Sequence, residues 1–536
     1  MLKYSKLLSF LLLSTYLLAQ GVENQAGLNI GENFRIYPNN VSQTEVFSVN
    51  HPTDPEIIFA SANTIVFNPF FISEGIYVTT NGGLNWFGSD TCKGAPITLH
   101  GGDPGITINK DGTFILTRRG FSPGLYSHYS TNFGISWSNQ KTITNDDLER
   151  ATMTSDVHPS SSYYGRSYAA WVKFAPPFPI NFAYTDDSGV TWSAPSQINN
   201  PLQRSAGGDI AMGPNGKVFV CWAGVTSVSP FTEDFVGIAF TTNGGTNWQV
   251  NENAFDMNGI NGLLTQKANI RVNGLPNIAI DTTGGARNGW IYIITTQKSL
   301  APAGSDPDVI LNRSTDGGQT WSAGIRVNQD QVNNGKIQYF PAVHVDKTGG
   351  LNIIFYDDRN TTSDSTGVFL ARSEDGGTTW KEFEISDKNF KPIPIGGLGQ
   401  GYQGDNISIT SADNKLWPFW MDNRTGVYQI WTVPIDISLV VIESDPEILS
   451  EFLLEQNYPN PFNPNTKIRW QSPTSGWQTL KIYDVLGNEV AVLVDEFRNA
   501  GSYEVVYSAD GLTSGIYFYQ LNVGYITETK KMILIR

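Results

Sequence analysis

The chain is predicted to be all-β: a closed array of repeated antiparallel units followed by a small β-sandwich. Three observations carry this prediction. An eight-residue pattern closing on tryptophan recurs six times, an alternating apolar strand precedes the copies, and the composition is rich in glycine with only 16% charged residues. Self-similarity at a spacing of roughly 50 to 70 residues marks one supersecondary unit repeated, as in propellers and solenoids.

The copies are 79–86, 130–137, 185–192, 241–248, 314–321 and 373–380, and they read Ser/Thr-x-Asp/Asn-x-Gly-x-Ser/Thr/Asn-Trp. The Asp or Asn (Asn81, Asn132, Asp187, Asn243, Asp316, Asp375) folds its side chain onto nearby backbone N–H groups. The Gly two places later supplies a positive φ cheaply, which makes a hairpin turn. The tryptophan brings a large apolar body to bury between neighbouring units. Three of the six acidic positions are amides, which cannot act as acids or bases, so the pattern builds scaffold rather than catalysis or a calcium site.

Around each copy the same strands recur. The first unit reads 44–50, 56–62 and 75–79; the sixth reads 341–346, 351–356 and 367–372. A seventh set, 406–410, 415–420 and 427–433, has no tryptophan pattern and no fourth strand. The segment 33–39, Asn-Phe-Arg-Ile-Tyr-Pro-Asn, has fourth-strand character at the other end of the chain. The expectation is therefore a seven-unit ring closed by the N-terminal strand, which removes an open edge. Six units is the alternative.

The formal net charge of −15 argues against nucleic acid as a partner. Residues 1–19, with Lys3 and Lys6 ahead of an apolar run, read as a secretory signal. Cys92 and Cys221 fall in distant units, so no disulfide is expected. The five histidines show no metal-ligand spacing, and neither a cofactor nor a metal is expected. Beyond residue 436 a linker, 437–451, precedes strands at 480–484, 489–494, 503–507, 515–523 and 530–535, the pattern of a small sandwich.

The repeated pattern resembles the Asp-box, or BNR repeat, of the sialidase superfamily, whose members are β-propellers; the resemblance covers most of 33–436. The tail motifs Asn457-Tyr458-Pro459-Asn460-Pro461-Phe462-Asn463-Pro464, Ile482-Tyr483-Asp484-Val485-Leu486-Gly487 and Gly515-Ile516-Tyr517-Phe518-Tyr519 are similar to the type A C-terminal sorting domain of type IX secretion, spanning 452–536. That likeness implies export through the type IX machinery, then release or attachment at the outer cell surface once signal and sorting domain are removed.

In such propellers the boxes decorate one end, and function is sought in the loops of the other end. Entries to first strands offer Asp103, Asp209 and Asp405, each after a glycine; second-to-third loops offer Arg118, Arg119, Glu233, Asp234, Asp357, Asp358, Arg359, Asp422 and Arg424. The sialidase resemblance implies a Tyr nucleophile with a Glu partner and an Asp acid/base, an exception to the usual carboxylate pair. Tyr402, Glu233 and Asp103 are the catalytic candidates, with Arg118, Arg119, Arg359, Arg424 and Asp405 as ligand-binding candidates. An Asp-x-Arg at a strand end is also commonly a local ion pair. Phe34-Arg35-Ile36-Tyr37-Pro38 resembles the family's carboxylate-gripping Arg motif with one residue inserted, but it stands about ten residues ahead of the first strand. The expected function is a secreted or surface propeller that binds glycan or protein ligands; an exo-sialidase-type hydrolase and a structural adhesion protein are the alternatives.

Overall fold

The computed structural model of the chain describes residues 28–67, 70–92, 100–120, 122–438, 452–474, 476–498, 501–524 and 526–536. The expected signal and most of the expected linker lie outside these residues. The described chain is all strand and turn, with two 3-10 turns at Pro214–Gly216 and Thr265–Lys267. It divides into two compact units, Met1–Ser438 and Leu439–Arg536.

The first unit is a succession of antiparallel sheets. Sheet one pairs Ser42–Asn50, Ile58–Phe67, Phe70–Thr79 and Phe87–Ser89 in order; sheet two Gly105–Ile108, Phe114–Arg119, Leu125–Ser130 and Lys141–Thr144; sheet three Thr152–Ser155, Ser167–Val172, Ile180–Thr185 and Ser196–Gln197. Sheet four holds Arg204–Met212, Val218–Val225, Glu233–Thr241 and Gln249–Asp256; sheet five Asn277–Ile280, Ile291–Gln297, Asp308–Ser314 and Ile325–Arg326; sheet six Gln338–Val345, Leu351–Asp357, Gly367–Ser373 and Lys381–Glu384. Sheet seven joins Ser408–Ala412, Lys415–Asp422 and Gln429–Thr432 to Phe34–Arg35, and also takes up Ile435–Asp436 and Asn29–Ile30. First strands touch in succession from Ser42–Asn50 onward, and Ser408–Ala412 returns to touch Ser42–Asn50, so the sheets form a ring.

The first and last described strands of the first unit meet in sheet seven. Phe34 pairs with Thr432 and Arg35 with Trp431. Closure is also a packing event: Trp86, which ends the first box, stacks edge-on against Trp417 and Phe419 of sheet seven, with ring centroids 6.2 and 5.7 Å apart. Four of the other five box tryptophans likewise reach the sheet before their own: Trp137 meets Phe59, Trp248 meets Phe182, Trp321 meets Phe255, and Trp192 donates to Ser127 Oγ at 2.7 Å.

Within each box the side chains bond as their chemistry dictates. The Asn or Asp Oδ1 accepts the N–H four residues on at 2.8–3.0 Å, from Asn85 through Thr379. The leading Ser or Thr oxygen accepts the glycine N–H at 2.7–3.1 Å. Threonine hydroxyl and backbone donors hold Asp316 down to about 2, an anion kept as a permanent acceptor. The box therefore works identically with an amide or a carboxylate.

The C-terminal unit is two sheets. One holds Leu453–Leu454, Asn465–Ser472 and Gly501–Ser508; the other orders Glu489–Arg498, Gly476–Tyr483, Gly515–Val523 and Ile526–Leu534. Trp470, Leu480, Ile482, Tyr519 and Met532 are buried among its core residues. Asn457 of the Pro-rich motif is buried; its amide donates to Thr466 Oγ1 at 2.9 Å, and its backbone N–H to Tyr519 Oη at 2.8 Å. Both cysteines of the chain, Cys92 and Cys221, are buried and unbridged.

Candidate active site

A cavity of about 380 Å³ opens where the ring's first strands begin and its second strands end; strands of sheets one, two, four, five and six line it, together with the segments that lead into sheets three and seven. That is the size of a site for one small ligand. No box residue lines it. The boxes follow the far ends of the third strands, so scaffold and cavity occupy opposite ends of the strands.

Three first strands carry bulges at matching places, between Thr44 and Phe47, Ala206 and Asp209, and Tyr339 and Ala342. Each holds a residue at positive φ: Glu45 at 55°, Gly207 at 56° and Phe340 at 50°. A bulge adds one residue to a strand and re-aims the side chain next to it. Here it brings Glu45 and Phe340 into the cavity wall. Strained non-glycine backbone of this kind concentrates at functional sites.

One amide organises the chemistry. Asn63, 4% exposed on Ile58–Phe67, donates from Nδ2 to Asp103 Oδ1 at 3.2 Å and to the Tyr402 phenol oxygen at 3.3 Å. Its Oδ1 accepts the Asp103 N–H at 2.6 Å. Tyr402 Oη also meets Thr44 Oγ1 at 3.1 Å. Asp103, at φ 55°, is steadied from behind: Glu74 accepts the Gly102 N–H at 2.9 Å and pairs with His100 Nδ1 at 2.5 Å. Burial raises Glu45 well above the usual carboxylate range, reinforced by Asp405 and Asp103 and opposed by Arg150 and by the Tyr402 phenol. Burial likewise raises Tyr402, with Glu45 and Asp405 adding to it. At rest the cavity thus favours a neutral phenol beside a carboxyl that readily holds a proton. Glu149, also in the wall, is raised by burial and by the Asp103 charge.

Three arginines reach the same space. Arg119 holds Asp103 at 3.3 Å and Asp147 at 3.4 Å, both long contacts. Arg150 bonds Asn406 Oδ1 and lies 4.7 Å from the Phe47 ring centroid. Arg271 grips Asp405 with both Nε, at 3.1 Å, and Nη2, and lies 5.3 Å from the Tyr402 ring centroid.

Arg271 arrives on a hairpin, Gly262–Leu264 with Ile270–Val272, inserted between sheets four and five. Its tip is anchored by Lys267, whose ammonium donates to Asp358 Oδ2 at 2.8 Å and to the carbonyls of Ser363 and Ser365 at 2.9 and 2.7 Å. Both ion-pair partners are fully buried. Its base is held by Glu233, which accepts from Gly274 N at 3.0 Å and Asn261 N at 3.1 Å.

Of the residues named from sequence, Tyr402, Asp103, Asp209, Arg119 and Asp405 line the cavity. Glu233 does not; its carboxylate is spent on the hairpin's backbone. Arg118 is buried beneath, donating to His128, Gln140 and the Arg119 carbonyl. Arg359 pairs with Asp357 and Glu382, and Arg424 with Asp422 and Asp387, the local ion pairs that Asp-x-Arg also predicts. Arg35 lies on the closing strand, 5.9 Å from the Trp431 ring centroid and outside the cavity. Glu45, Asn63, Glu149, Arg150 and Arg271 escaped the sequence reading. An Asn inside the largely apolar run Ile58–Phe67 was the visible signal for Asn63, whereas Glu45 sits in a strand of mixed polarity and gave none.

Asp209, in the wall, accepts from Ile278 N and Ile210 N at 3.0 Å each and from the Asn277 amide, tying sheet four to sheet five. Burial nonetheless pushes it up to about 6. The native state therefore holds its proton more tightly than the unfolded chain does. Its contribution to stability is full below pH about 4 and is lost as pH rises through about 6. Urea unfolding is expected to show wild type losing on the order of 1–3 kcal/mol relative to Asp209→Asn between pH 4 and 7.

Comparison with known proteins agrees with this architecture. Residues 456–535 match the secretion system C-terminal sorting domain, and residues 313–323 match the BNR/Asp-box repeat. A sialidase of Bacteroides fragilis (strain YCH46) is 25% identical over 323 residues, covering 54% of this chain and 55% of the relative. The protein is sialidase-like, with a type IX sorting domain at its C-terminus. This sialidase-like chain spans only about half the length of that relative. A polysaccharide lyase of family PL25, an ulvan lyase bound to -[GlcA(1-4)Rha3S]-, superposes with a TM-score of 0.50 at 12% identity, over 76% of this chain and 96% of the lyase. The same lyase without that ligand gives 0.50 at 11% identity. At these identities the likeness speaks to the fold. The sorting domain marks the sialidase-like protein for type IX secretion, as a secreted or cell-surface protein.

Proposed function

We propose that the cavity is the active site of a glycoside hydrolase acting on terminal acidic sugars, with a sialoside as the first substrate to test. The observation that carries this reading is Asn63, whose one amide nitrogen touches both the Tyr402 phenol and Asp103. In this reading Tyr402 Oη attacks the anomeric carbon while Glu45 takes the phenol proton. The departing oxygen receives a proton from the Asp103–Glu149 pair, in which burial, reinforced by the Asp103 charge, raises the Glu149 carboxyl so that it holds a proton more readily. Water then cleaves the tyrosyl-sugar bond, giving its proton back to that pair and its hydroxyl to the sugar, and the phenol recovers its proton from Glu45. Arg119, Arg150 and Arg271 supply the positive charge that a sugar carboxylate needs.

A second reading, glycan binding without turnover, is favoured by one observation: each of the three arginines already has a protein partner, and Arg271 is held by Asp405 through two nitrogens. The test is incubation of the full chain with a fluorogenic sialoside and, in parallel, with immobilised sialoglycans. Release of the fluorophore supports the hydrolase. Retention without release supports the binding reading, and neither overturns both.

Asn63→Ala removes the shared anchor of two reacting groups. It is expected to lower kcat roughly 10- to 100-fold with a smaller change in KM, the signature of lost orientation. Equal loss in KM alone would assign Asn63 to binding.

A further inference from the structure

The cavity wall continues beyond the site described above. Ile58–Phe67 and Phe70–Thr79 pair residue by residue out to Phe67 opposite Phe70, well past the strand ends read from sequence. Alternation puts Asn63, Ile65 and Phe67 on one face, with Ile72 and Phe70 opposite Ile65 and Phe67. Asn63, Ile65 and Ile72 line the cavity, so this face runs outward from it to the end of the hairpin.

There it ends in two large rings left in water. Phe67 is 43% and Phe70 53% exposed, with centroids 6.1 Å apart. Phe67 also borders the loop that carries Leu398 and Tyr402: a methyl group on Gly397 would lie 3.0 Å from its ring. Exposed aromatics contiguous with a ligand cavity contribute nothing to the core and mark a binding surface.

Resting on the glycan reading above, we propose that Phe67 and Phe70 form a second carbohydrate subsite, which stacks on the apolar C–H face of the pyranose linked to the sugar in the cavity. The cavity has room for about one sugar, and the next ring of a chain must pass the rim where these phenyl groups stand. The subsite makes the protein prefer an oligosaccharide to a free monosaccharide. It takes its second sugar by shape and apolar contact, so that ring's substituents matter less than its presence.

The test uses the full chain carrying Tyr402→Phe, so that substrate is not consumed, with and without Phe67→Ala and Phe70→Ala. Each protein is titrated calorimetrically with N-acetylneuraminic acid and with a sialyl trisaccharide. The subsite predicts trisaccharide binding about tenfold tighter than monosaccharide, falling to the monosaccharide value in the alanine variant while monosaccharide affinity holds. Equal affinity for the two sugars before the alanine changes overturns the subsite and leaves the glycan reading standing. So does an alanine variant that weakens neither sugar, or both alike. Failure to bind either sugar overturns the glycan reading and the subsite with it.

Discussion

Tyr402→Phe is expected to abolish turnover of a sialoside, lowering kcat roughly a thousandfold or more while the sugar still binds. The substitution removes one oxygen, the atom that contacts Thr44 and Asn63, and leaves the ring that packs against Arg271. A thousandfold is about 4 kcal/mol of barrier, the scale on which a lost nucleophile acts. Glu45→Gln should do nearly as much, because an amide cannot take the phenol proton. The pH profile supplies an independent check. Glu45 must be ionised to act as base, and burial raises its pKa; the ascending limb of kcat/KM should therefore lie above the ordinary Glu range of about 4.3. A limb at or below that value would remove Glu45 from the role.

Lys267→Met is expected to lower stability strongly. It strips the ammonium from a fully buried pair, leaving the Asp358 charge uncompensated, though still bonded by the Ile337 N–H, and the carbonyls of Ser363 and Ser365 without the ammonium. Breaking a buried pair from one side costs about 3–5 kcal/mol, whereas removing both charges costs far less. Urea unfolding should show that loss in Lys267→Met and its partial recovery when Asp358→Leu is added. Because the same residue anchors the hairpin that carries Arg271, the single variant should also bind acidic sugar more weakly. A loss below about 1 kcal/mol would mean that the hairpin tip is held by its apolar side chains, Leu264 and Ile270, which are buried in the largest core cluster.

The scaffold was legible in the sequence because it is written in local chemistry. A box needs only a hydroxyl, an Asx oxygen, a glycine and a tryptophan at fixed offsets, and all six copies bond that way. Phe34 and Arg35 were legible for the same reason: a short segment of fourth-strand character, lacking a partner nearby, pairs at the far end of the first unit. The cavity was legible only where a residue sits at a predictable strand entry, as Asp103 and Asp405 do, or in the Gly-rich loop of Tyr402. Glu45 depends on a bulge, which adds a residue to a strand without leaving a local mark. Arg271 depends on an inserted hairpin whose tip bonds to residues about ninety positions away. Glu233 and Arg118 show the opposite error. Each has the chemistry of a site residue at a plausible loop position, yet their partners are backbone N–H groups in one case and His128 and Gln140 in the other.

The arginine pairs at Arg359 and Arg424 show how charge is shared out around the ring. Each closes onto the Asp two residues before it and onto an acid of a neighbouring segment, Glu382 or Asp387, so neither is free for a ligand. Arg119 differs in holding its acids only at 3.3 and 3.4 Å. With Arg150, whose hydrogen bond is to the Asn406 amide oxygen rather than to an acid, it is a cavity arginine that a sugar carboxylate could recruit at low cost in the glycan reading.

The most direct measurement of the central claim is covalent. The full chain is incubated with a fluorinated sialosyl fluoride, which forms a glycosyl-enzyme bond quickly and hydrolyses it slowly, and the product is mapped by peptide mass spectrometry. The account predicts one added sugar on the peptide bearing Tyr402, absent in Tyr402→Phe and in Glu45→Gln. Turnover of a sialoside with no label on Tyr402, or with the label on another residue, would contradict it.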